Sequence, residues 1–116
     1  MEKVNFRYDK ENDILYLFKD IKPRGSIECG DFIVEFTADL QKAVGLEILN
    51  ASKVLSKLFP KFPVKSSLMH IKKASLRTIH RPELIIVQYA FFSKIQRDHT
   101  VSKEFSQSIA IPQIAR

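Results

Sequence analysis

The chain has 116 residues, 45% of them apolar and 28% charged, which is the size and composition of one globular domain and not of a disordered segment. The single cysteine, Cys29, excludes an internal disulfide and cannot form a cysteine-based zinc site alone. The net charge of +6 suggests an acidic partner, nucleic acid or protein, without choosing between them.

The basic excess belongs to the second half of the chain. Residues 1–58 hold 9 Lys and Arg against 10 Asp and Glu, whereas residues 59–116 hold 10 against 3. The N-terminus is polar and no long apolar run follows it, which predicts a protein without a signal peptide or membrane span. We therefore expect a cytoplasmic location.

Alternating apolar and polar residues predict several strands in the first half, and segment 14–18 is predicted as a strand that is apolar on both faces. Segments 4–8 and 14–18 form a plausible hairpin, and 27–29 is a short edge segment. Segments 31–37 and 44–49 form the clearest hairpin, joined by a turn.

A helix is predicted from about residue 50 to 59. Asn50 is a suitable N-cap, because its side-chain oxygen can accept a hydrogen bond from the first helical turn. Leu49 and Val54 have the spacing of a hydrophobic staple, and Pro60 ends the helix. A further helical turn is expected over residues 64–69.

The second half returns to strands. Segments 75–79, 84–92 and 101–111 look extended, and 94–100 reads as a polar loop. The order of strands, helix and strands predicts an α+β fold. We expect a hairpin-rich antiparallel or mixed sheet with one main helix, about 50–59, packed on one face.

Three motifs in the first half resemble a family of small prokaryotic domains known as domain of unknown function 2283. They are Tyr8-Asp9-x-Glu11-x-Asp13-x-Leu15-Tyr16, a run from Gly30 to Phe36 that contains Val34-Glu35-Phe36, and Val44-Gly45-Leu46-Glu47-Ile48-Leu49-Asn50-Ala51-Ser52. The resemblance covers residues 6–58. We therefore predict a single domain over 1–116, in which 6–58 holds the family-like strands and helix and 59–116 is a basic, strand-rich extension.

The resemblance implies a small α+β fold with no assigned activity. It also implies an antitoxin or partner-binding role, because members are found paired with small toxin-like proteins. The turn at residues 38–42 lacks the glycine that is usual in the family, so the shape of this hairpin loop is expected to differ.

Two acidic groups are candidates for chemistry. Asp9, Glu11 and Asp13 have the oxygen ligands that a hard cation prefers, but the EF-hand pattern is absent and a solvated turn explains them equally. Glu35 and Glu47 are expected on adjacent strands, where two carboxylates can share a proton or simply face solvent.

No catalytic, metal or cofactor motif is recognisable. The three histidines, His70, His80 and His99, lack the spacing of a metal pair, and no serine lies in a nucleophile elbow. The sequence thus favours a non-catalytic, antitoxin-like protein-binding module, although an enzyme with a scattered site stays open.

The alternative function is nucleic-acid binding by the basic second half. Phosphates attract lysine and arginine, and exposed aromatic rings stack on bases. The candidate rings are Phe59, Phe62, Tyr89, Phe91 and Phe92. The candidate contacts for nucleic acid or an acidic partner are Lys61, Lys65, Lys72, Lys73, Arg77 and Arg81.

Segment 84–92 is apolar on both faces, and one short helix covers only one of them. We therefore predict a two-fold homodimer whose interface contains Ile86, Ala90 and Phe92. The competing interpretation is that segment 59–71 folds over the second face through Phe59, Phe62, Leu68 and Met69.

Overall fold

The computed structural model describes residues 2–96 and 100–113. Within them, eight antiparallel strands form one strongly curved sheet, a half-barrel, in the order β3-β4-β5-β2-β1-β6-β7-β8. The strands are β1 (Glu2–Asp9), β2 (Ile14–Phe18), β3 (Gly25–Cys29), β4 (Phe32–Phe36), β5 (Ala43–Ile48), β6 (Ile71–Arg81), β7 (Leu84–Gln96) and β8 (Thr100–Pro112). The helices are α1 (Ala51–Leu58) and α2 (Val64–Leu68), and a 3₁₀ turn spans Ala38–Leu40.

The predicted α+β class with one main helix is wrong. Helices α1 and α2 have only 8 and 5 residues, and the chain is mostly antiparallel sheet. The sheet instead curls over its own inner face, so that the ring of Phe32 in β4 lies 6.1 Å from that of Tyr89 in β7. A sheet that covers itself in this way needs no layer of helices.

Strand β1 joins the two parts of the sheet. Its residues 2–4 pair with β6, and its residues 5–9 pair with β2. Beyond β1, the start of β5 contacts β6 directly, because the Ala43 N–H donates to Thr78 Oγ1 at 2.9 Å. The two parts therefore hold each other both through β1 and across the inner side.

An aromatic cluster fills one region of the core. Phe105 in β8 is fully buried, stacks on Phe91 with 4.7 Å between ring centroids, and receives Phe59 and Phe62 edge-on at 5.0 and 5.5 Å. The segment after α1 thus covers the inner face of β7 and β8. It does not cover the opposite face, as the competing interpretation had expected, and Met69 is 51% exposed.

The hairpin of β7 and β8 is longer than the sequence indicated. Pairing continues to Lys94↔Ser102 and Gln96↔Thr100, where a polar loop over 94–100 was expected. Strands pair through backbone hydrogen bonds, which polar residues also form. The end of the continuous apolar run at Phe92 therefore did not mark the end of the strand. No helix in the described part of the chain is long and apolar enough to cross a membrane.

Candidate interaction surface and the motif site

Asp13 stands at the centre of a hydrogen-bond network that joins the first hairpin to helix α1. Its carboxylate accepts hydrogen bonds from Tyr8 Oη at 2.6 Å, from Ser52 Oγ at 2.7 Å and from the Ser52 N–H at 3.0 Å. Its backbone carbonyl accepts from the Ala51 N–H at 2.9 Å. We call Tyr8, Asp13 and Ser52 the Asp13 network.

The Asp13 network caps α1, so the predicted capping role of the Asn50 side chain is wrong. Asn50 has the left-handed backbone conformation, with φ of 51°, and makes no side-chain capping bond. Asp13 caps the helix instead, through the N–H of Ser52, which lies 39 residues away in sequence. The negative charge of Asp13 also suits the positive end of the helix dipole. The contacts of Tyr8 and Ser52 with Asp13 were not predicted from the sequence, although Tyr8 and Asp13 lie in the first motif and Ser52 ends the third.

The hydrogen bonds also set the charge of this site. Partial burial acts to raise the pKa of the Asp13 carboxyl, but hydrogen bonds from Tyr8 and Ser52 outweigh it and lower that pKa below its ordinary value. Burial and the bond to Asp13 raise the pKa of the Tyr8 hydroxyl well above its ordinary value. The pair is therefore a phenol donating to a carboxylate at neutral pH.

The acidic turn does not gather ligands for a cation. Asp9 accepts from the Asn12 backbone and side chain, and these bonds lower the pKa of the Asp9 carboxyl. Glu11 and Asp13 line an open cavity of about 470 Å³ with Lys10, Lys53 and Lys65. In the part of the chain that the structure describes, no three His, Cys, Asp or Glu residues are placed to hold a metal.

Glu35 and Glu47 share the outer face of the sheet, the face turned away from the core. They are diagonal neighbours, since Glu35 pairs with Gly45 and Glu47 pairs with Ile33. A Cβ atom on Gly45 would lie 2.7 Å from Glu35 Oε1, so the glycine leaves room for that carboxylate. Burial and the charge of Glu35 raise the pKa of Glu47.

Three of the predicted basic residues share the outer face of β6. Lys73, Arg77 and Arg81 alternate with the inward-facing Ala74 and Leu76, which are buried. Neighbours in this row are four residues apart, or about 13 Å along the strand. We call this row the basic face.

The basic face has little compensating charge. Over the described residues, the ion pairs are those of Glu2 with Lys19 and with Lys42. Lys73 lies 5.2 Å from the ring centroid of Phe92, and Arg81 donates to its neighbour's carbonyl. Glu104 lies at the end of the row that runs from Lys73 through Phe92, and Glu2 lines a cavity with Arg77.

The other predicted basic residues lie elsewhere. Lys72 adjoins the basic face and, with Lys3 and Lys73, lines a cavity of about 440 Å³ between β1 and β6. Lys61 lies between the helices and Lys65 lies in α2, both exposed. The six residues therefore form one surface of four and a separate pair.

The residues predicted for the dimer interface do share the outer face of β7. Ile86 and Phe92 are partly exposed and Ala90 is 7% exposed. Ile86 pairs with Ile79 of β6 on one side and with Ala110 of β8 on the other. This apolar row crosses the strands beside Arg77 and Arg81.

The structure removes most candidate stacking rings from the surface. Tyr89 and Phe91 are buried, and Phe59 and Phe62 pack on the core, which leaves Phe92 on the outer face. His70 and His80 each bond a backbone carbonyl, at 2.7 and 2.6 Å, and His99 lies outside the described residues.

Comparison with known proteins supports the resemblance of the first half. Residues 5–52 match the family described as protein of unknown function (DUF2283). The predicted resemblance is confirmed, and the match ends at Ser52, the last member of the Asp13 network.

One curated relative, an uncharacterized protein of Methanocaldococcus jannaschii, is 38% identical over 55 residues. The aligned region is 47% of this chain and 47% of the relative, so the chain spans about half of that protein's length. No solved structure matches the chain. These comparisons therefore give a family without an assigned activity.

Proposed function

We propose that the protein is a non-catalytic protein-binding module and that its binding surface is the outer face of β6, β7 and β8. One observation carries this proposal: an apolar row containing Ile79 and Ile86 lies beside Arg77 and Arg81, and neither arginine has an ion-pair partner among the described residues. A surface with this composition suits a partner that offers both acidic and apolar side chains.

The two kinds of side chain would contribute differently to binding. Apolar area is worth about 25 cal/mol per Å² removed from water, so Ile79 and Ile86 supply most of the affinity. Unpaired arginines at the edge of the apolar row accelerate encounter and select an acidic partner. Binding would therefore weaken with salt but would persist in part when the charges are screened.

Nucleic-acid binding is the second candidate, favoured by the cavity between β1 and β6. Lys3, Lys72 and Lys73 line this cavity and continue the row of Arg77 and Arg81. Five cations on one side suit a phosphate backbone. Against this candidate, Phe92 is the one ring of the five proposed for stacking that lies on this face.

A direct test uses two labelled probes, a peptide of alternating glutamate and leucine and a DNA duplex of about 20 base pairs. Fluorescence anisotropy is measured at about 50 mM and about 300 mM salt. The test variant is Arg77→Glu/Arg81→Glu. The matched control is Lys61→Glu/Lys65→Glu, which changes the net charge by the same amount at the helical end of the molecule.

The proposal expects the wild-type chain to bind the peptide, the test variant to lose about tenfold or more in affinity, and the control to lose less than about threefold. Equal losses of affinity in both variants would show that binding depends only on the net charge of the protein, and this result would contradict the proposal. Tighter binding to DNA than to the peptide, with the same dependence on Arg77 and Arg81, would establish the second candidate instead.

The narrower assignments rest on this proposal. An antitoxin-like role is the version in which the partner is a small toxin. The two-fold homodimer through Ile86, Ala90 and Phe92 is the version in which the apolar row binds its own copy. The single-domain organisation over 1–116 and a cytoplasmic location stay predictions.

A further inference from the structure

The other end of the sheet, formed by β3, β4 and β5, carries negative charge on its outer face. The outward-facing side chains of β3, β4 and β5 include Glu28, Glu35 and Glu47, and no outward-facing position in these strands holds lysine or arginine. We call these three glutamates the acidic face. Glu28 is exposed, and Glu35 and Glu47 are partly exposed.

The acidic face is as unpaired as the basic face. Over residues 2–96 and 100–113, none of the three glutamates forms an ion pair. The nearest outward-facing cation in the same row is Arg7, which lies over the ring of Tyr16 at 4.8 Å from its centroid. Tyr16 and Ile33 are partly exposed between the charges, so this face is also a mixture of apolar and charged groups.

The two faces match in arrangement. Glu28 and Glu47 lie in one row across the strands on either side of Ile33, about 10 Å apart at the usual strand spacing. Arg77 and Arg81 are about 13 Å apart along β6, on either side of Ile79. Each face therefore presents two like charges with an isoleucine between them, and the charges of the two faces are opposite.

We propose that the acidic face of one copy docks on the basic face of a second copy, head to tail. This inference rests on the proposed function, because it names a second copy as the partner of the basic face. Since the two surfaces differ, each copy keeps one free face after docking, and association continues beyond two copies into a chain or a ring.

The size of the faces sets the strength of the contact. The three strands of the acidic face are about 14 Å wide, and strands of five or six residues are about 18 Å long. This area is smaller than the roughly 800 Å² per partner of a standard stable interface. The association should therefore be weak, reversible and sensitive to salt.

The experiment uses complementary variants of the full chain. Arg77→Glu/Arg81→Glu removes the basic face and Glu28→Lys/Glu47→Lys removes the acidic face. Light scattering gives the mass of each protein and of their equimolar mixture, up to about 200 µM and at about 50 mM and 500 mM salt. Circular dichroism melts establish that each variant is folded, and Arg77→Gln/Arg81→Gln and Glu28→Gln/Glu47→Gln replace a variant that is not.

The proposal expects the wild-type mass to rise with concentration and to fall with salt. Each variant alone should associate at least about tenfold more weakly, and the mixture should regain association, because each variant retains one intact face that is complementary to the intact face of the other. A wild-type chain that is monomeric throughout would overturn the proposal. So would a dimer that is unaffected by Glu28→Lys/Glu47→Lys, which is the expectation for a two-fold interface.

The peptide experiment separates this inference from the proposed function. Glu28→Lys/Glu47→Lys should lose self-association and retain binding of the glutamate–leucine peptide, because its basic face is unchanged. Peptide binding without self-association of the wild type would overturn only the head-to-tail contact. Self-association that depends on both faces, without peptide binding, would leave the contact and overturn the broader function.

Discussion

The first half of the chain, residues 2–58, and the described part of the second half, residues 59–96 and 100–113, are stabilised in different ways. In the first half, the Asp13 carboxylate from the β1–β2 turn holds the start of α1 through Ser52 and is itself held by Tyr8. In the second half, long strands and an aromatic cluster around Phe105 supply the contacts. The comparison teaches that the motifs resembling DUF2283 add a polar connection to their buried apolar residues, whereas the second half adds an aromatic, apolar cover.

The largest expected effect comes from the apolar side of this comparison. Phe105→Ala removes a fully buried ring that contacts Phe59, Phe62 and Phe91. Because the ring leaves a cavity that its neighbours cannot fill, we expect a loss of about 3–5 kcal/mol in the free energy of unfolding, measured by urea denaturation. Phe92→Ala, on the outer face of β7, is the control and should cost less than half as much. Equal losses would contradict the placement of the core.

The polar side should give a smaller loss. Asp13→Ala removes the group that receives Tyr8 and Ser52, and we expect it to cost about 1–2 kcal/mol. A double-mutant cycle with Ser52→Ala should show a coupling above about 0.5 kcal/mol. Strictly additive losses would show that the two residues act independently.

The same network predicts a dependence on pH. The pKa of Asp13 is lower in the folded chain, so its contribution is complete above the ordinary pKa of 3.8 and is lost as pH falls through the lower folded value. The difference in stability between wild type and Asp13→Asn should therefore be constant near neutral pH and shrink below about pH 4. A difference that grows on acidification would refute the lowered pKa.

Gly45 tests the outer face of the first half. Gly45→Ala places a methyl group 2.7 Å from Glu35 Oε1 and 3.3 Å from Glu35 Cβ, so the glutamate must move. We expect a loss of about 1 kcal/mol in thermal or urea unfolding, with partial recovery in Gly45→Ala/Glu35→Ala. Gly25→Ala is the matched control, since no atom lies within 4 Å of its added Cβ and a neutral or stabilising change is expected.

The smallest effect is expected at Glu47. Burial and the neighbouring Glu35 raise its pKa in the folded chain, so the charged form weakens folding as pH rises from the ordinary value of 4.5 through the raised one. Glu47→Gln should therefore raise the free energy of unfolding at neutral pH by less than about 1 kcal/mol, seen as a slightly higher melting temperature. This gain should vanish below pH 4.5. A gain that is independent of pH would point to packing instead of charge.

Local patterns predicted most of the elements. The strands around residues 33 and 46 follow from alternation, and β2 follows from its continuous apolar run. The helix after Asn50 follows from the proline at residue 60 and its apolar stripe. The two faces of β7 were also correctly separated, since Ile85, Val87, Tyr89 and Phe91 are buried. These features depend on neighbours along the chain, which a sequence displays directly.

The sequence by itself determined most of the strands, the motifs that resemble DUF2283 and the basic excess of the second half. Only the tertiary structure decided that the sheet covers itself, that Asp13 caps a helix 39 residues away, and that the cations and glutamates lie on separate outer faces. The physical reason is distance along the chain. The contacts that decide these features join residues far apart in sequence, and no local pattern of apolar residues records which strands become neighbours.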